Sequence, residues 1–498
     1  MQRHRLAVLS LAVLFLTVAS AAARAAVFAP SKLDDGADGV CDADCSLREA
    51  VQAANVRPGE DVIVLRAGIY QLSFSAADDT NAAGDLDVTD GLTILGAGAD
   101  RTTIDGGGTD RVLQVQQGAS LTLRDLTLTH GRAPGSGGAI LAFGDLTVER
   151  CTLEDNAALG VTEPGQGGAI AIVQTTAPAP RLTIVDSAIV SNDAQRHGGG
   201  IYAGSATELR NVTLSGNHAL TFGGGIYVTS GAVAELRNTT IAGNSASRGG
   251  GLYGEPTAFL GVAPVVTSSI FAGNSGGNSP DCFGDVESGY DLVGNNGDCN
   301  GPSAARHDLV GTPGSPLDPR LGPLSNVGGP TPVRALDAGS PAIDAGDPAA
   351  PGSTESACPA TDQRGAHRPG GPRCDIGAFE LTAECVPGGR FLCMVGNRFR
   401  VLAHWRTPAG SEGDAEGVQL TPDSGYFWFF GPDNVEVTVK VLDGCGVNNR
   451  YWVFSSGVTN VEVTLEVVDT VTGATKTYTN PLNQVFRSIL DTGAFPCH

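Results

Sequence analysis

Inward apolar positions and outward polar positions alternate along this chain in a pattern that recurs between residues 121 and 274. Five copies end in an asparagine, and the asparagines lie 36, 25, 27 and 30 residues apart: Asn156, Asn192, Asn217, Asn244 and Asn274. Three residues before each asparagine the chain is apolar, with Leu153, Ile189, Leu214, Ile241 and Phe271. A sixth copy ends in Gly131 instead. Repeats of ~20–50 residues are typical of stacked supersecondary units.

Each copy predicts a short strand, a sharp turn and a second short strand. Apolar residues alternate with threonine in Leu121-Thr-Leu123 and Leu146-Thr-Val148, which is the period of a half-buried strand. Because one such unit cannot bury its own apolar face, the units must stack. We therefore predict a parallel β-solenoid. The five asparagines are expected to form a ladder of side chains at a tight turn, where asparagine tolerates left-handed backbone.

The N-terminus has the composition of a secretory signal. Arg3 and Arg5 precede an apolar run at residues 6–18, and Ala23-Arg24-Ala25 forms a small-residue cleavage site. The segment 1–25 is therefore predicted to be removed, which places the mature protein outside the cell or on its surface. The apolar run is too short to span a membrane. The mature chain would carry 28 basic and 53 acidic residues, which argues against nucleic-acid partners.

Eleven cysteines in an exported chain predict disulfides. Local spacing pairs six of them, as Cys41 with Cys45, Cys282 with Cys299, and Cys358 with Cys374. Four more lie near the C-terminus, where three connectivities stay open: Cys385, Cys393, Cys445 and Cys497. The last, Cys151, shares a repeat position with small residues, so we predict a buried core residue and not a nucleophile.

An N-terminal cap is predicted over residues 26–60. Ser46 and Glu49 have the spacing of a helix capping box, and an apolar face follows at helical spacing in Leu47, Ala50, Val51 and Ala54. A solenoid needs such a cover at each end, because an open edge would pair with other chains. The predicted solenoid itself then covers residues 61–304.

Two stretches resemble known families. CDADCSLREA at residues 41–50 resembles the CSLREA domain of secreted bacterial β-helix proteins. LDPRLGPL at 317–324, GSPAIDAG at 339–346, DQRG at 362–365 and DIGAFE at 375–380 resemble the choice-of-anchor Q region. The resemblance implies a right-handed parallel β-helix of pectin-lyase-like shape, export and frequent surface attachment. It implies no established activity. Residues 305–380 are accordingly expected to form C-terminal coils.

The acidic N-terminal loop could hold Ca²⁺, because that ion takes carboxylate and carbonyl oxygens from flexible loops. The candidate ligands are Asp34, Asp35, Asp38, Asp42 and Asp44. The loop lacks the spacing of an EF-hand. The alternative is a solvated acidic loop that favours the start of the following helix.

Catalytic chemistry on this fold would require clustered carboxylates, with a basic residue in a lyase or with acid/base spacing in a hydrolase. The polar turn positions six and seven residues before the asparagines carry mixed charges, including Arg124, Asp125, Glu149, Arg150, Asp186, Arg210 and Arg237. We expect these residues to project outward and pair between coils. His197 precedes a glycine run, but the other elements of a polygalacturonase motif are missing.

A separate module is predicted at residues 381–498, which hold fourteen of the 28 aromatic residues. Strands are predicted at 399–405, 426–430, 435–442, 451–454 and 461–467, as in a small antiparallel sandwich. The three tryptophans of the chain, Trp405, Trp428 and Trp452, lie here. They are either core residues or a platform for sugar rings.

The sequence therefore favours an all-β, secreted, non-catalytic protein that acts as an extracellular scaffold or adhesin, with a polysaccharide or a surface protein as its partner. The alternatives are a polysaccharide lyase or glycoside hydrolase, and a structural spacer. Apart from the Ca²⁺ loop, no cofactor is expected.

Overall fold

The computed structural model describes residues 25–497 except 37, 74–80, 162–163, 176, 257–260, 278, 338, 355, 382–384, 386–388 and 471–473. The predicted signal peptide lies almost entirely outside the described residues. The predicted all-β fold is confirmed: a parallel β-solenoid is followed by antiparallel sheets. None of the helices in the described part of the chain is long and apolar enough to cross a membrane.

Three long parallel sheets form the solenoid. Sheet A consists of Val27–Phe28, Asp61–Val64, Gly91–Leu95, Ser120–Arg124, Asp145–Glu149, Arg181–Val185, Ala206–Arg210, Ala234–Arg237 and Val265–Thr267. Sheet B consists of Gly68–Gln71, Thr102–Asp105, Thr127–Thr129, Thr152–Glu154, Ala188–Val190, Thr213–Ser215, Thr240–Ala242, Ile270–Ala272, Leu292–Val293 and Leu309–Val310. Sheet C consists of Leu86–Val88, Leu113–Val115, Ile140–Ala142, Ile170–Val173, Ile201–Gly204, Ile226–Val228, Leu252–Gly254, Cys282–Asp285 and Cys299–Asn300. Two-residue strands form a short sheet D: Arg132–Ala133, Ala157–Ala158, Asp193–Ala194 and His218–Ala219.

The register stacks equivalent residues of successive coils. Leu121, Leu146 and Leu182 are direct neighbours in sheet A, and all three side chains are buried. Burial of one such side chain contributes about 1.5–3 kcal/mol, so the apolar columns of the three sheets supply most of the stabilisation. The capping helix Leu47–Asn55 covers the first coils with its apolar face, and both hydrogen bonds of its capping box form.

The five asparagines form a buried ladder. From Asn192 onward, each side-chain oxygen accepts the backbone N–H and a side-chain N–H of the preceding asparagine, as Asn217 does from Asn192 at 3.0 and 2.9 Å, whereas Asn156 accepts from Gly131 N–H. Asp281 ends the ladder by accepting both bonds from Asn274. The left-handed residue is not the asparagine, as we expected, but the residue before it, such as Asp155 or Ser191.

A second ladder continues past the repeats. Cys151 N–H donates to Ser187 Oγ, and further along Ser269 N–H donates to Asp291 and Asp291 N–H donates to Asp308. Cys151 itself is buried and is not disulfide-bonded. Burial raises the pKa of its thiol to about 12, so the side chain stays protonated and behaves as a small core residue.

Glycine allows the coils to approach each other where each sheet C strand begins. Gly137 has a φ of +71°, and a Cβ added to Gly138 would lie 2.0 Å from the carbonyl oxygen of Gly168. A side chain at Gly138 would therefore push two coils apart, and one at Gly137 would be strained by the positive φ.

Residues 305–380 differ from the expected coils. Only Leu309–Val310 extends sheet B, followed by a hairpin of Leu321–Ser325 and Val333–Leu336. Residues 321–380, which we call the strap, then lie across the outer face of sheet B. Val333, Leu336, Ile376 and Phe379 pack there against Ile270 in an apolar cluster. The sequence of the short sheet B strands contains no periodic pattern that predicts a covering segment.

The C-terminal module is a sandwich of two antiparallel sheets. Sheet E contains Leu392–Met394, Phe399–Arg406, Glu412–Asp414, Glu462–Asp469 and Thr475–Asn480. Sheet F contains Glu416–Thr421, Ser424–Trp428, Val437–Gly444, Arg450–Gly457 and Ile489–Pro496. A helical turn, Cys445–Asn448, follows the third strand of sheet F where the sequence predicts a turn.

Five disulfides are present. Three are the predicted local pairs, Cys41–Cys45, Cys282–Cys299 and Cys358–Cys374. The open connectivity at the C-terminus resolves to Cys385–Cys393 and Cys445–Cys497. The second of these closes the longest loop and joins the helical turn of sheet F to the end of the chain.

Candidate functional site

The outer face of sheet A carries threonines and ion pairs between coils. Arg124 contacts Glu149 at 2.7 Å, and Arg181 contacts Glu208 at 3.4 Å. These side chains are partly exposed, and such pairs contribute about 0–1 kcal/mol each. The pairing between coils that the sequence predicts is therefore present on this face.

The strap covers the outer face of sheet B from the coil of Thr213 to the coil of Ile270, whereas Ile69 in the first coil is exposed. Thr213 donates to Gln363 at 2.7 Å, Asn211 donates to the Thr361 carbonyl at 2.9 Å, and Thr240 accepts from Ala378 N–H. The turn positions Asn211, Asn238 and Ser268, which lie six residues before Asn217, Asn244 and Asn274, project outward as expected, but they are buried under the strap.

The outer face of sheet C holds a column of aromatic rings. Tyr202, Tyr227, Tyr253 and Phe283 occupy the same register position in four successive coils. Their rings stack with centroids 5.5, 5.3 and 4.6 Å apart and lie within 8° of parallel. Parallel strands bring identical positions together, so one aromatic residue per coil is enough to build a continuous stack.

A second row runs alongside this aromatic column. His197, Phe222 and Arg248 occupy one position in successive coils. The His197 ring stacks on Tyr227 at 4.6 Å and on Phe222 at 5.2 Å, and Arg248 lies 5.8 Å from the Phe283 ring. The two rows together form an aromatic wall on the C-terminal half of sheet C.

Hydrogen bonds fix the tautomer of His197. The Thr221 hydroxyl donates its one hydrogen to the Arg196 carbonyl, so it accepts from His197 Nδ1–H at 2.7 Å. Nε2 is then left as an acceptor. Burial, with the charge of Arg196, lowers the pKa of His197 to about 4, although Glu255 opposes this shift. The imidazole is therefore neutral at physiological pH.

Glu255 borders the column and is held by two donors. The Tyr227 hydroxyl donates to one carboxylate oxygen, and Ser230 N–H donates to the other at 2.9 Å. Burial would raise the pKa of Glu255, but these hydrogen bonds outweigh it and the net shift is downward. Burial and the bond to this carboxylate raise the pKa of Tyr227. The pair is thus an ionised carboxylate with a protonated phenol.

The column ends at Tyr202 on its N-terminal side. The residue opposite Tyr202 in the preceding coil is Ala171, and Leu141 occupies the coil before that. A methyl group cannot stack over a phenol ring, so this face of Tyr202 lacks the ring partner that its other face has. The side chain of Gln166 hydrogen-bonds the Tyr202 hydroxyl, and burial raises the pKa of that hydroxyl.

Two exposed arginines flank the wall. Arg196 precedes His197, and Arg248 ends the second row. Within the described part of the chain neither makes an ion pair, whereas Arg124, Arg181 and Arg237 on sheet A each do. They bring positive charge to one face of a strongly acidic protein.

The three tryptophans do not form one platform. Trp405 lies on sheet E and packs against the sandwich core, with Phe429 and Phe430 beside it. Trp428 and Trp452 lie on the outer face of sheet F, but at opposite ends of its strands, level with Glu416 and Leu442. All three side chains are half-buried.

The acidic N-terminal loop does not gather its five carboxylates. Asp35 makes a buried ion pair with Arg48 at 2.8 Å, and Asp44 contacts Lys32 at 3.3 Å. Asp34, Asp38 and Asp42 each accept a backbone N–H two residues on. Among the described residues, the one group of three close His, Cys, Asp or Glu side chains is Asp443 with Cys445 and Cys497, whose thiols are in a disulfide.

The aromatic wall was not predicted, although the sequence contains a periodic pattern that indicates it. Tyr202, Tyr227 and Tyr253 each stand one residue after the apolar strand start that follows a glycine run, at the period of the asparagines. An alignment of the repeats on the glycines would have shown the column. No periodic pattern of this kind in the sequence predicts the strap.

Comparisons with known proteins give limited information. A family model described as the Chlamydia polymorphic membrane protein (Chlamydia_PMP) repeat matches residues 211–229, which is one coil. No curated protein matches the sequence. A crystal structure of pectate lyase Pel9A is similar over 72% of this chain and 98% of that chain, at 14% identity and a TM-score of 0.32. That score is too low to carry an argument. The resemblances to CSLREA and choice-of-anchor Q families stay predictions.

Proposed function

We propose that this chain is a secreted, non-catalytic glycan-binding protein, and that its solenoid holds a polysaccharide on the outer face of sheet C. The observation that supports the proposal is the end of the ring stack at Tyr202, whose N-terminal neighbour in the sheet is Ala171 and not another ring. Sugar rings present apolar C–H faces that pack on aromatic faces, so this end of the column is suited to one pyranose.

Polar groups around Tyr202 support the same ligand class. Gln166 offers amide groups, His197 offers an acceptor at Nε2, and Arg196 offers donors, all beside an apolar surface. Binding sites for small molecules combine apolar walls with a few polar groups in this way. A sugar needs both, since its hydroxyls must find partners when they leave water.

The state of Glu255 supports binding over cleavage. General acid catalysis by a carboxyl group requires a raised pKa, whereas the hydrogen bonds to Glu255 lower its pKa. Both of its oxygens already accept hydrogen bonds, which makes Glu255 a support for the aromatic wall. The other two solenoid faces support the choice of sheet C, since the later coils of sheet B are covered by the strap and sheet A carries ion pairs between coils.

The test measures binding and cleavage together. Protein lacking residues 1–25 is incubated with pectin, alginate, xylan and β-glucan, with and without Ca²⁺, and bound protein and new reducing or unsaturated ends are measured. Tyr202→Ala should weaken binding about tenfold, since loss of one stacking contact costs about 1.4 kcal/mol. Thr147→Ala, on sheet A, should leave binding unchanged. Release of sugar fragments, or undiminished binding by the Tyr202 variant, would refute the proposal.

A further inference from the structure

Trp452 is held on the outside of the sandwich by contacts that fix its ring. The indole lies against the backbone of Gly444, where an added Cβ would be 2.3 Å from a ring carbon. Its Nε1–H donates to Asn448 Oδ1 at 2.8 Å, and Asn448 Nδ2 donates to the Thr492 carbonyl at 2.9 Å. A half-buried surface tryptophan therefore has one defined orientation.

The support of Trp452 is covalently tied to the sheet. Asn448 ends the helical turn Cys445–Asn448, and Cys445 is bonded to Cys497 at the end of the last strand of sheet F. The turn that orients the indole therefore cannot swing away from the strand edge. Because the ring is fixed beforehand, little rotamer entropy is lost when a ligand stacks on it.

The outer face of sheet F continues from Trp452 in rows across the strands. Phe454 lies edge-on to Trp452 with centroids 6.2 Å apart, and the register places it between Lys440 and Leu490. In the next row, the hydroxyls of Thr438 and Ser456 lie 3.0 Å apart. Aromatic and hydroxyl-bearing rows thus alternate on one exposed surface.

A shallow groove of about 420 Å³ lies on this face. Its lining includes Leu420, Ser424, Thr438, Lys440, Phe454, Ser456, Ser488 and Leu490. The floor is apolar, four of these residues carry hydroxyls, and Lys440 stands at the rim beside Asp423 at 3.9 Å.

We propose that this groove is a second glycan-binding site, in which one pyranose stacks on Phe454 and its hydroxyls bond to Thr438, Ser456 and Lys440, while the next sugar of the same chain stacks on Trp452, one row beyond the groove. An apolar protein surface is a poorer occupant, because it would bury the Lys440 ammonium at the rim away from water. The site is separate from the one proposed on sheet C and shares no residue with it.

Tryptophan fluorescence tests this site alone. All three tryptophans lie in the sandwich, so a sugar bound on sheet C leaves their emission unchanged. Cellohexaose, xylohexaose and chitohexaose are titrated into the chain lacking residues 1–25. At least one should change the emission with saturation, and Tyr202→Ala should keep that response.

Variants assign the response. Trp452→Ala and Phe454→Ala should each weaken retention on the matching insoluble polysaccharide about tenfold. Gly444→Ala should also weaken it, because the new methyl displaces the indole. Trp428→Ala, at the other end of the same face, is the matched control and should bind normally. Thermal melts identify any variant that fails to fold, and Thr438→Ala with Ser456→Ala then tests the hydroxyl row without touching an aromatic ring.

Three outcomes would overturn the proposal. The first is an emission that none of the three sugars changes. The second is a Trp428 variant that loses as much retention as the Trp452 variant. The third is self-association of the chain that Trp452→Ala abolishes, measured by sedimentation, since this would assign the face to a second copy of the protein.

Discussion

Sheets B and C belong to the same coils, yet their outer faces differ: one is covered by the strap and the other by its own aromatic side chains. On sheet B the outward position carries Thr213, Thr240 and then Ile270, and the strap approaches so closely that a Cβ at Gly377 would lie 2.7 Å from the Thr240 hydroxyl oxygen. On sheet C the same kind of position carries Tyr227 and Tyr253, whose rings pack on each other.

The difference shows that a solenoid repeat constrains only its inward positions. Inward residues must fill a column of fixed width, and they hardly vary between the sheets. Outward residues are free to differ, and their size decides whether a face accepts a backbone cover or builds its own side-chain layer. A face covered by another segment of the chain and a face covered by its own side chains can therefore coexist on one scaffold.

The largest expected effect is a loss of unfolding free energy when the strap that covers sheet B loses its buried ion pair. Arg368 and Glu380 form a fully buried ion pair at 2.7 Å inside the strap. Arg368→Ala leaves the carboxylate without its partner, which costs about 3–5 kcal/mol of unfolding free energy. Urea denaturation with proteolysis of the strap should show this loss.

The control for this pair is Arg390→Ala. Arg390 contacts Asp414 at 3.0 Å on the surface of the sandwich, where such a pair contributes about 0–1 kcal/mol. If both variants lost the same small amount, the strap would not depend on its buried pair, and the contrast between the two faces would lose its energetic basis.

The two faces should also respond to pH in opposite directions. Burial, with the charge of Glu380, raises the pKa of Asp375 in the strap to about 7. The folded state then binds a proton that the unfolded state releases, so this contribution to stability falls as the pH rises from about 4 to about 7. The pKa of His197 on sheet C is lowered to about 4, so its contribution falls as the pH drops from about 6.5 to about 4.

Single variants separate the two responses. Asp375→Asn should flatten the loss of stability on the rising side, and His197→Gln should flatten the loss on the falling side, in unfolding free energies measured from pH 4 to pH 8. The readout is the slope with pH and not the absolute stability, because either change also alters packing. A wild-type slope that both variants retain would exclude these groups as its source.

The parts of the fold that repeat could be predicted from the sequence. The asparagine ladder, the capping box at Ser46 and the three local disulfides follow from spacing alone, because each rests on residues close in sequence or at one period. The strap could not be predicted, since its contacts with sheet B join residues about 140 positions apart, as in the bond from Ala378 to Thr240.

The ends of the ladders were hidden for a different reason. Asp281, Asp291 and Asp308 replace asparagine and serine where the coils stop, so the pattern changes residue type at its last steps. The sandwich shows a further limit: five aromatic or apolar residues in a row at 426–430 cannot show which side chains face outward. Trp452 was a candidate because it is one of the three tryptophans of the module. Its fixed orientation depends on Gly444 and Asn448, which no periodic pattern connects to it.

The smallest expected effect concerns the polar support of the aromatic column. Tyr227→Phe keeps the ring stack and removes only the hydroxyl that donates to Glu255. Glu255 is partly exposed and keeps its bond from Ser230, so water can replace the lost donor in part, and we expect a loss of about 1–2 kcal/mol in unfolding free energy. Tyr253→Phe is the matched control, because in the described part of the chain its hydroxyl makes no hydrogen bond to Glu255, and it should cost less than about 0.5 kcal/mol. Equal losses in the two variants would mean that ring stacking alone holds the column, and that Glu255 is free to serve a ligand instead of the wall.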